Sequence, residues 1–107
     1  MNITEVKIRA TYNEGRMRAL VSITIDSSLA VHDIKIIEGP ERFFVAMPSR
    51  REENGTFRDI IHPITAETRQ VIEHTILKAY DEYMNNLKNE EDKTEIDINN
   101  NSYDIVE

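Results

Sequence analysis

FFVAMPSRREENGTFRDIIHPI, residues 43–64, is the segment from which the rest of the chain is read. FFVAM is a short apolar run of the kind that forms a buried strand. Pro48 closes it, because proline has no N–H to give to a ladder. SRREENG then reads as a loop, with Asn54-Gly55 a strong hairpin-turn signal, and TFRDIIH reads as the returning strand. The loop carries two adjacent arginines, Arg50 and Arg51. Either they are solvated turn charges or they grip something negative. On a regular strand, neighbours point to opposite sides; on a loop both can face outward.

Upstream, the pattern is strand-like throughout. In ITEVKIRA, Val6, Ile8 and Ala10 fall on one face and Glu5, Lys7 and Arg9 on the other. NEGR, residues 13–16, supplies a tight turn in which Gly15 is free to take positive φ. RMRALVSITID alternates again, with Met17, Ala19, Val21, Ile23 and Ile25 sharing a face. These two strands predict a hairpin. LAVHDIKIIEG gives a third strand, with Leu29, Val31, Ile34 and Ile36 as core candidates. Val31 and Ile34 are three apart, so a bulge is expected at His32-Asp33. Gly39-Pro40 ends that strand.

Downstream, Pro63 enforces a break and Thr65 is a natural N-cap. AETRQVIEHTILKAYDEYM has helical spacing, with Thr68, Val71, Ile72, Thr75, Ile76, Ala79, Tyr80 and Tyr83 on one stripe. The helix is expected to fray near Asn85-Asn86. The fold class is therefore α+β: an antiparallel sheet of about five strands with one C-terminal helix packed on it, followed by an acidic flexible tail. Residues 1–84 form the single domain and residues 85–107 the tail, which reads as disordered or adaptable. Uncovered sheet edges in such an architecture invite a homodimer.

Composition sets the outer bounds. At 107 residues, with 39% hydrophobic and 31% charged content, the chain has the make-up of one soluble domain. No apolar run approaches the ~20 residues of a membrane span, and no signal-peptide core stands at the start. The cytoplasm is the expected compartment. Cysteine is absent, which excludes disulfides, thiolate metal sites and a cysteine nucleophile. The net charge of −7 speaks against nucleic acid only when taken whole. From Asn85 onward, seven acids stand against two lysines, a balance of −5; residues 1–84 hold thirteen acids and eleven bases, a balance of −2. A nearly neutral body can carry a basic patch that the average hides.

GRMRA at 15–19, SITID at 22–26, VHDIKII at 31–37, FFVAMPSRR at 43–51, FRDI at 57–60 and HPI at 62–64 occur in one order at fixed spacing. With Thr68-Arg69 at the helix start, they resemble the stage V sporulation protein G family, the bacterial septation regulators, over roughly residues 1–83. The resemblance implies a small cytoplasmic dimer that binds DNA with site preference, and RNA in some members. It also implies regulation of gene expression with effects on septation and sporulation, and neither a cofactor nor catalysis.

Arginine suits phosphate because its planar fork donates two parallel hydrogen bonds. With the resemblance, Arg50 and Arg51 are the leading nucleic-acid contacts. Arg58 on the returning strand, and Arg16 and Arg18 after the first turn, extend the set. Arg69 opens the helix, where a cation opposes the helix dipole by ~0.3–1 kcal/mol, a cost that a nearby phosphate offsets. The competing reading is neutralisation by Glu41, Glu52, Glu53 and Asp59, or by Glu67 or Glu73 at the helix. An exposed aromatic beside these arginines would suit single-stranded RNA. Phe43 and Phe44 point to opposite faces of a strand, so one of them is the candidate; Phe57 reads as core.

Other chemistry finds little footing. His32-Asp33 and Asp59…His62 lack the helical spacing of a metal pair and have no third-ligand motif. They read as turn caps or arginine partners, and no metal or cofactor is expected. No nucleophile elbow or Gly-rich phosphate loop is present, so neither an enzyme nor a small-molecule substrate is expected. The alternative to a DNA-binding regulator is a protein-interaction adaptor that works through the acidic tail or an open sheet edge.

Overall fold

The structure, a computed structural model, describes residues 1–100, with side chains to residue 88. Its elements run β1 (Ile3–Thr11), β2 (Met17–Ile25), β3 (Leu29–Glu38), β4 (Phe43–Ala46), β5 (Ser49–Arg51), β6 (Phe57–Asp59) and α1 (Ala66–Asn100). The first four strands form one antiparallel sheet in the order β1-β2-β3-β4, and β5 and β6 form a separate two-stranded ribbon. The α+β class is as expected, but FFVAM does not pair with TFRDIIH. It pairs back onto β3, and after Pro48 the chain turns into a ribbon of its own.

The predicted β1–β2 hairpin forms, with Gly15 at φ 81° in its turn. A second turn carries Asp26 and Ser27, both at positive φ, between β2 and β3. The His32-Asp33 bulge also forms: Ile23 pairs with Val31 and Val21 with Ile34, so two residues of β3 oppose Ser22, and Asp33 sits at φ 65°. Further bulges alter the expected faces. One between Ile8 and Ala10 sets Thr11, not Ala10, opposite the buried Ala19. Another between Met17 and Ala19 leaves Met17 only half-buried. Leu29, expected in the core, is exposed at the strand's first residue.

The helix lies over one face. Ile72, Ile76 and Tyr80 join Ala19, Val21, Ile23, Val31, Ile34, Ile36, Val45 and Met47 in the buried cluster, with Leu77 and Met84 packed against it. The expected stripe is rotated slightly, since Val71 and Tyr83 are exposed while Leu77 takes part. Phe43 packs on Tyr80 with ring centroids 5.9 Å apart, a tilted pair. The Thr65 hydroxyl accepts from the Thr68 amide at 3.1 Å, so the N-cap is where the sequence places it.

The helix does not fray at Asn85-Asn86 but continues to Asn100. Asparagine is a mediocre helix former, not a breaker, and residues 85–100 contain neither Gly nor Pro. Residues 101–107 of the expected acidic arm lie outside the described residues. No helix among them is long and apolar enough to cross a membrane.

Candidate nucleic-acid interface

The ribbon is built by its turn. The Glu52 amide donates to the Thr56 carbonyl at 2.7 Å, and the Gly55 amide to the Glu52 carbonyl at 3.0 Å. The Asn54 side chain accepts from both the Thr56 amide (3.1 Å) and the Thr56 hydroxyl (2.7 Å). Gly55 takes φ 90°, which a Cβ would strain. At the base, the Ile60 amide donates to the Pro48 carbonyl at 2.8 Å. Every residue from 49 to 59 is exposed except the half-buried Glu52.

The adjacent arginines, Arg50 and Arg51, are not placed on the loop the sequence suggests. They stand on a strand, not on the turn. Arg50 is directly opposite Arg58, and Arg51 directly opposite Phe57. Directly opposed residues share a face and neighbours alternate. One face of the ribbon therefore carries Arg50 and Arg58, and the other carries Arg51 and Phe57, with Ser49 opposite Asp59 one step further. Two like charges directly opposed cost the ribbon stability unless an anion lies between them.

The expected neutralisation is only partial. Arg58 Nε approaches Glu52 at 3.8 Å, a long contact between groups mostly in water and worth little. Among the described residues neither Arg50 nor Arg51 has a carboxylate within ion-pair distance. With Glu52, Glu53 and Asn54 they line a shallow concavity at the ribbon tip.

The remaining arginines are disposed differently. Arg18 donates to Glu38 Oε1 at 2.7 Å and to the Asn13 carbonyl at 2.9 Å, bracing the ends of β2 and β3 against the first turn. Its Nε is buried without a hydrogen-bond partner. Arg16 donates from Nε to the Glu38 carbonyl at 3.2 Å. Arg69 is exposed in the first turn of α1, and its amide bonds the Thr65 carbonyl at 3.1 Å. Arg42 pairs with Glu73 at 3.7 Å. The structure thus brings Arg50, Arg51 and Arg58 together on one protrusion and holds Arg16 and Arg18 around Glu38.

The histidines and their acids are scattered. His32 Nδ1 meets the Ser22 hydroxyl at 2.8 Å, and His62 Nδ1 donates to the Pro63 carbonyl at 3.1 Å. Among the described residues no three His, Asp or Glu side chains converge on one point. The exposed aromatic beside the ribbon arginines is not one of the Phe43-Phe44 pair, both half-buried, but Phe57 at 71% exposure. Its hydrophobicity reads as core; only the strand register reveals that β6 has no layer to pack against.

Comparison with known proteins places this geometry in context. The SpoVG family model matches residues 1–82. A protein of Clostridioides difficile is 55% identical over 82 residues, covering 77% of this chain and 89% of its own length. One of Lachnospira eligens is 53% identical over 81 residues, covering 76% and 92%. One of Clostridium novyi is 50% identical over 96 residues, covering 90% and 96%. All three carry the name "Putative septation protein SpoVG".

Proposed function

The chain belongs to the SpoVG family, and from that premise we propose that it is a homodimeric, DNA-binding regulator of gene expression acting in septation- or sporulation-type processes. RNA is a second ligand of the same class. The observation that carries this reading is the ribbon: an exposed two-stranded protrusion with Arg50 and Arg58 on one face and Arg51 on the other. A two-stranded ribbon fits the major groove of B-DNA, and guanidinium forks are suited to the phosphates that border it. Arg50 and Arg51 are the principal anchors and Arg58 joins them once an anion displaces its weak contact with Glu52. Arg69 is a further contact at the helix start; Arg16 and Arg18, engaged with Glu38, contribute least.

The homodimer is supported by apolar groups left in solvent just after the ribbon. Ile60 is 68% exposed and Ile64 87%, with Ile61 beside them at 39%. A contiguous exposed apolar segment of this kind is typical of an interface, and a second copy would double the arginine tips and give the symmetry that paired DNA half-sites use. The protein acts in the cytoplasm, without cofactor or catalytic step.

A second reading draws on the same isoleucines and on the net charge of −7: a protein adaptor that captures a partner without touching nucleic acid. Titration of labelled duplex DNA at two salt concentrations separates the two. Regulator binding is steep in salt and depends on Arg50 and Arg51; the adaptor gives no DNA binding at low salt while the dimer stays intact.

A further inference from the structure

The two faces of the ribbon have different chemistry. The Arg50–Arg58 face sets two guanidiniums directly opposite each other, with Glu52 reaching Arg58 only at 3.8 Å, and suits a sugar–phosphate backbone. The other face sets a guanidinium, Arg51, directly across from an aromatic ring, Phe57, with the Asp59 carboxylate two residues further along the same side. Phe57 is 71% exposed although nothing polar on its ring gains from water. Opposed side chains on an antiparallel pair stand about 5 Å apart at Cβ, so the ring and the arginine rise from the same face of the ribbon as neighbours. A carboxylate beside it repels phosphate. The face is thus adapted to a planar, uncharged group attached to a phosphate: a nucleobase.

We infer that the Arg51–Phe57 face of the β5–β6 ribbon is a stacking platform for an unpaired base, which makes single-stranded nucleic acid a distinct ligand of this protein. The inference rests on the nucleic-acid reading above and adds a base contact to it. Phe57 takes the base on its face. Arg51 holds the phosphate of the same or the adjoining nucleotide, and Arg50 and Arg58 track the backbone on the other side. In a duplex the base faces are stacked on each other and out of reach, so duplex binding uses the arginines alone.

The experiment compares a single-stranded oligonucleotide with its duplex, each carrying 2-aminopurine as a stacking reporter, titrated with the full chain. Variants are Phe57→Ala, Phe57→Tyr and the Arg50→Ala/Arg51→Ala pair. Phe57→Ala should weaken single-strand binding about 10- to 100-fold and abolish the fluorescence change on binding, while Phe57→Tyr retains both. Its duplex affinity and the salt slopes should stay as in the parent. Light scattering and circular dichroism on each variant verify assembly and fold. Unchanged single-strand affinity in Phe57→Ala, with the arginine pair still weakening both ligands, overturns the platform and leaves the regulator reading standing. Loss of the dimer in Phe57→Ala overturns it too, because Phe57 is then a subunit contact. If the arginine pair changes neither ligand, the nucleic-acid reading itself has failed.

Discussion

Ser22 and His32 meet across the β2–β3 ladder, Oγ to Nδ1, at 2.8 Å. Ser22 is the buried polar residue of the sheet, 6% exposed, and His32 is one of the two bulged residues opposite it. The bulge turns an exposed imidazole inward far enough to satisfy a hydroxyl that would otherwise be buried unpaired. Ser22→Ala removes the bond but leaves His32 free to bond water. The expected loss is about 1 kcal/mol, read as a fall in Tm of roughly 4–8 °C. His32→Ala strands the hydroxyl and should cost more than Ser22→Ala; equal or smaller loss would mean that the Ser22 hydroxyl is not left unpaired without the imidazole.

Arg18 and Arg50 are both candidate phosphate contacts by sequence, and the structure separates their expected effects. If about four phosphates are engaged per dimer, the log–log salt slope is about −3.6, a loss of roughly 150-fold between 50 and 200 mM salt. Arg50→Ala/Arg51→Ala should flatten that slope with little change in Tm. Arg18→Ala should do the reverse, because Arg18 bonds Glu38 and the Asn13 carbonyl. It should cost about 1 kcal/mol of stability with the slope nearly intact. A flattened slope in Arg18→Ala would place that residue at the interface after all.

Gly39 opens the turn into β4, its amide donating to the Arg42 carbonyl at 2.9 Å. A Cβ at this position would lie 2.8 Å from that same carbonyl oxygen and 3.2 Å from the Phe44 ring. The oxygen is backbone and cannot swing away. Gly39→Ala is therefore expected to destabilise by about 1–3 kcal/mol, whereas Ala at the exposed Gly15, with nothing within 4 Å, meets only the strain of its φ of 81°. Denaturant midpoints for the two variants test this order.

Burial pushes the Tyr80 hydroxyl above its ordinary pKa of 10.0; Arg18 opposes the shift and Asp81 adds to it. A raised value means that the folded state holds the proton more tightly than the unfolded chain does. The associated stability is complete below pH 10 and declines as the pH rises through the folded value. Tyr80→Phe, which keeps the ring on Phe43, should make the folded state less sensitive to alkali. Parallel alkaline unfolding curves for the two proteins would refute the assignment.

The parts of the fold that sequence reveals are those written in local chemistry. The three-residue step from Val31 to Ile34 announces the bulge, and Thr65 after Pro63 announces the cap. The bulges near Arg9 and Arg18 leave no such trace, because the alternation of residue types runs through them undisturbed. They are set by the register of partner strands, which spacing along one chain does not contain. The same limit hid the ribbon faces. Arg50 and Arg51 are legible as a basic pair, but that Arg50 shares a face with Arg58, and Arg51 with Phe57, follows only from pairing. Phe57 reads as core from its hydrophobicity, but hydrophobicity predicts burial only where another layer is present to bury against. α1 passes through Asn85-Asn86 for a different reason: asparagines signal turns, yet in the absence of Gly or Pro they do not compel one.

The ribbon rejoins the scaffold at the Pro48–Ile60 hydrogen bond and contributes no side chain to the buried cluster. Substitutions from 49 to 59 therefore alter what the molecule touches without deciding whether it folds. The recognition surface proposed above and the folding core are therefore separate sets of residues. The segment is a cassette: exchanged between scaffolds of the same shape, it should carry its ligand preference with it, and ligand preference can diversify at a pace that the core does not limit.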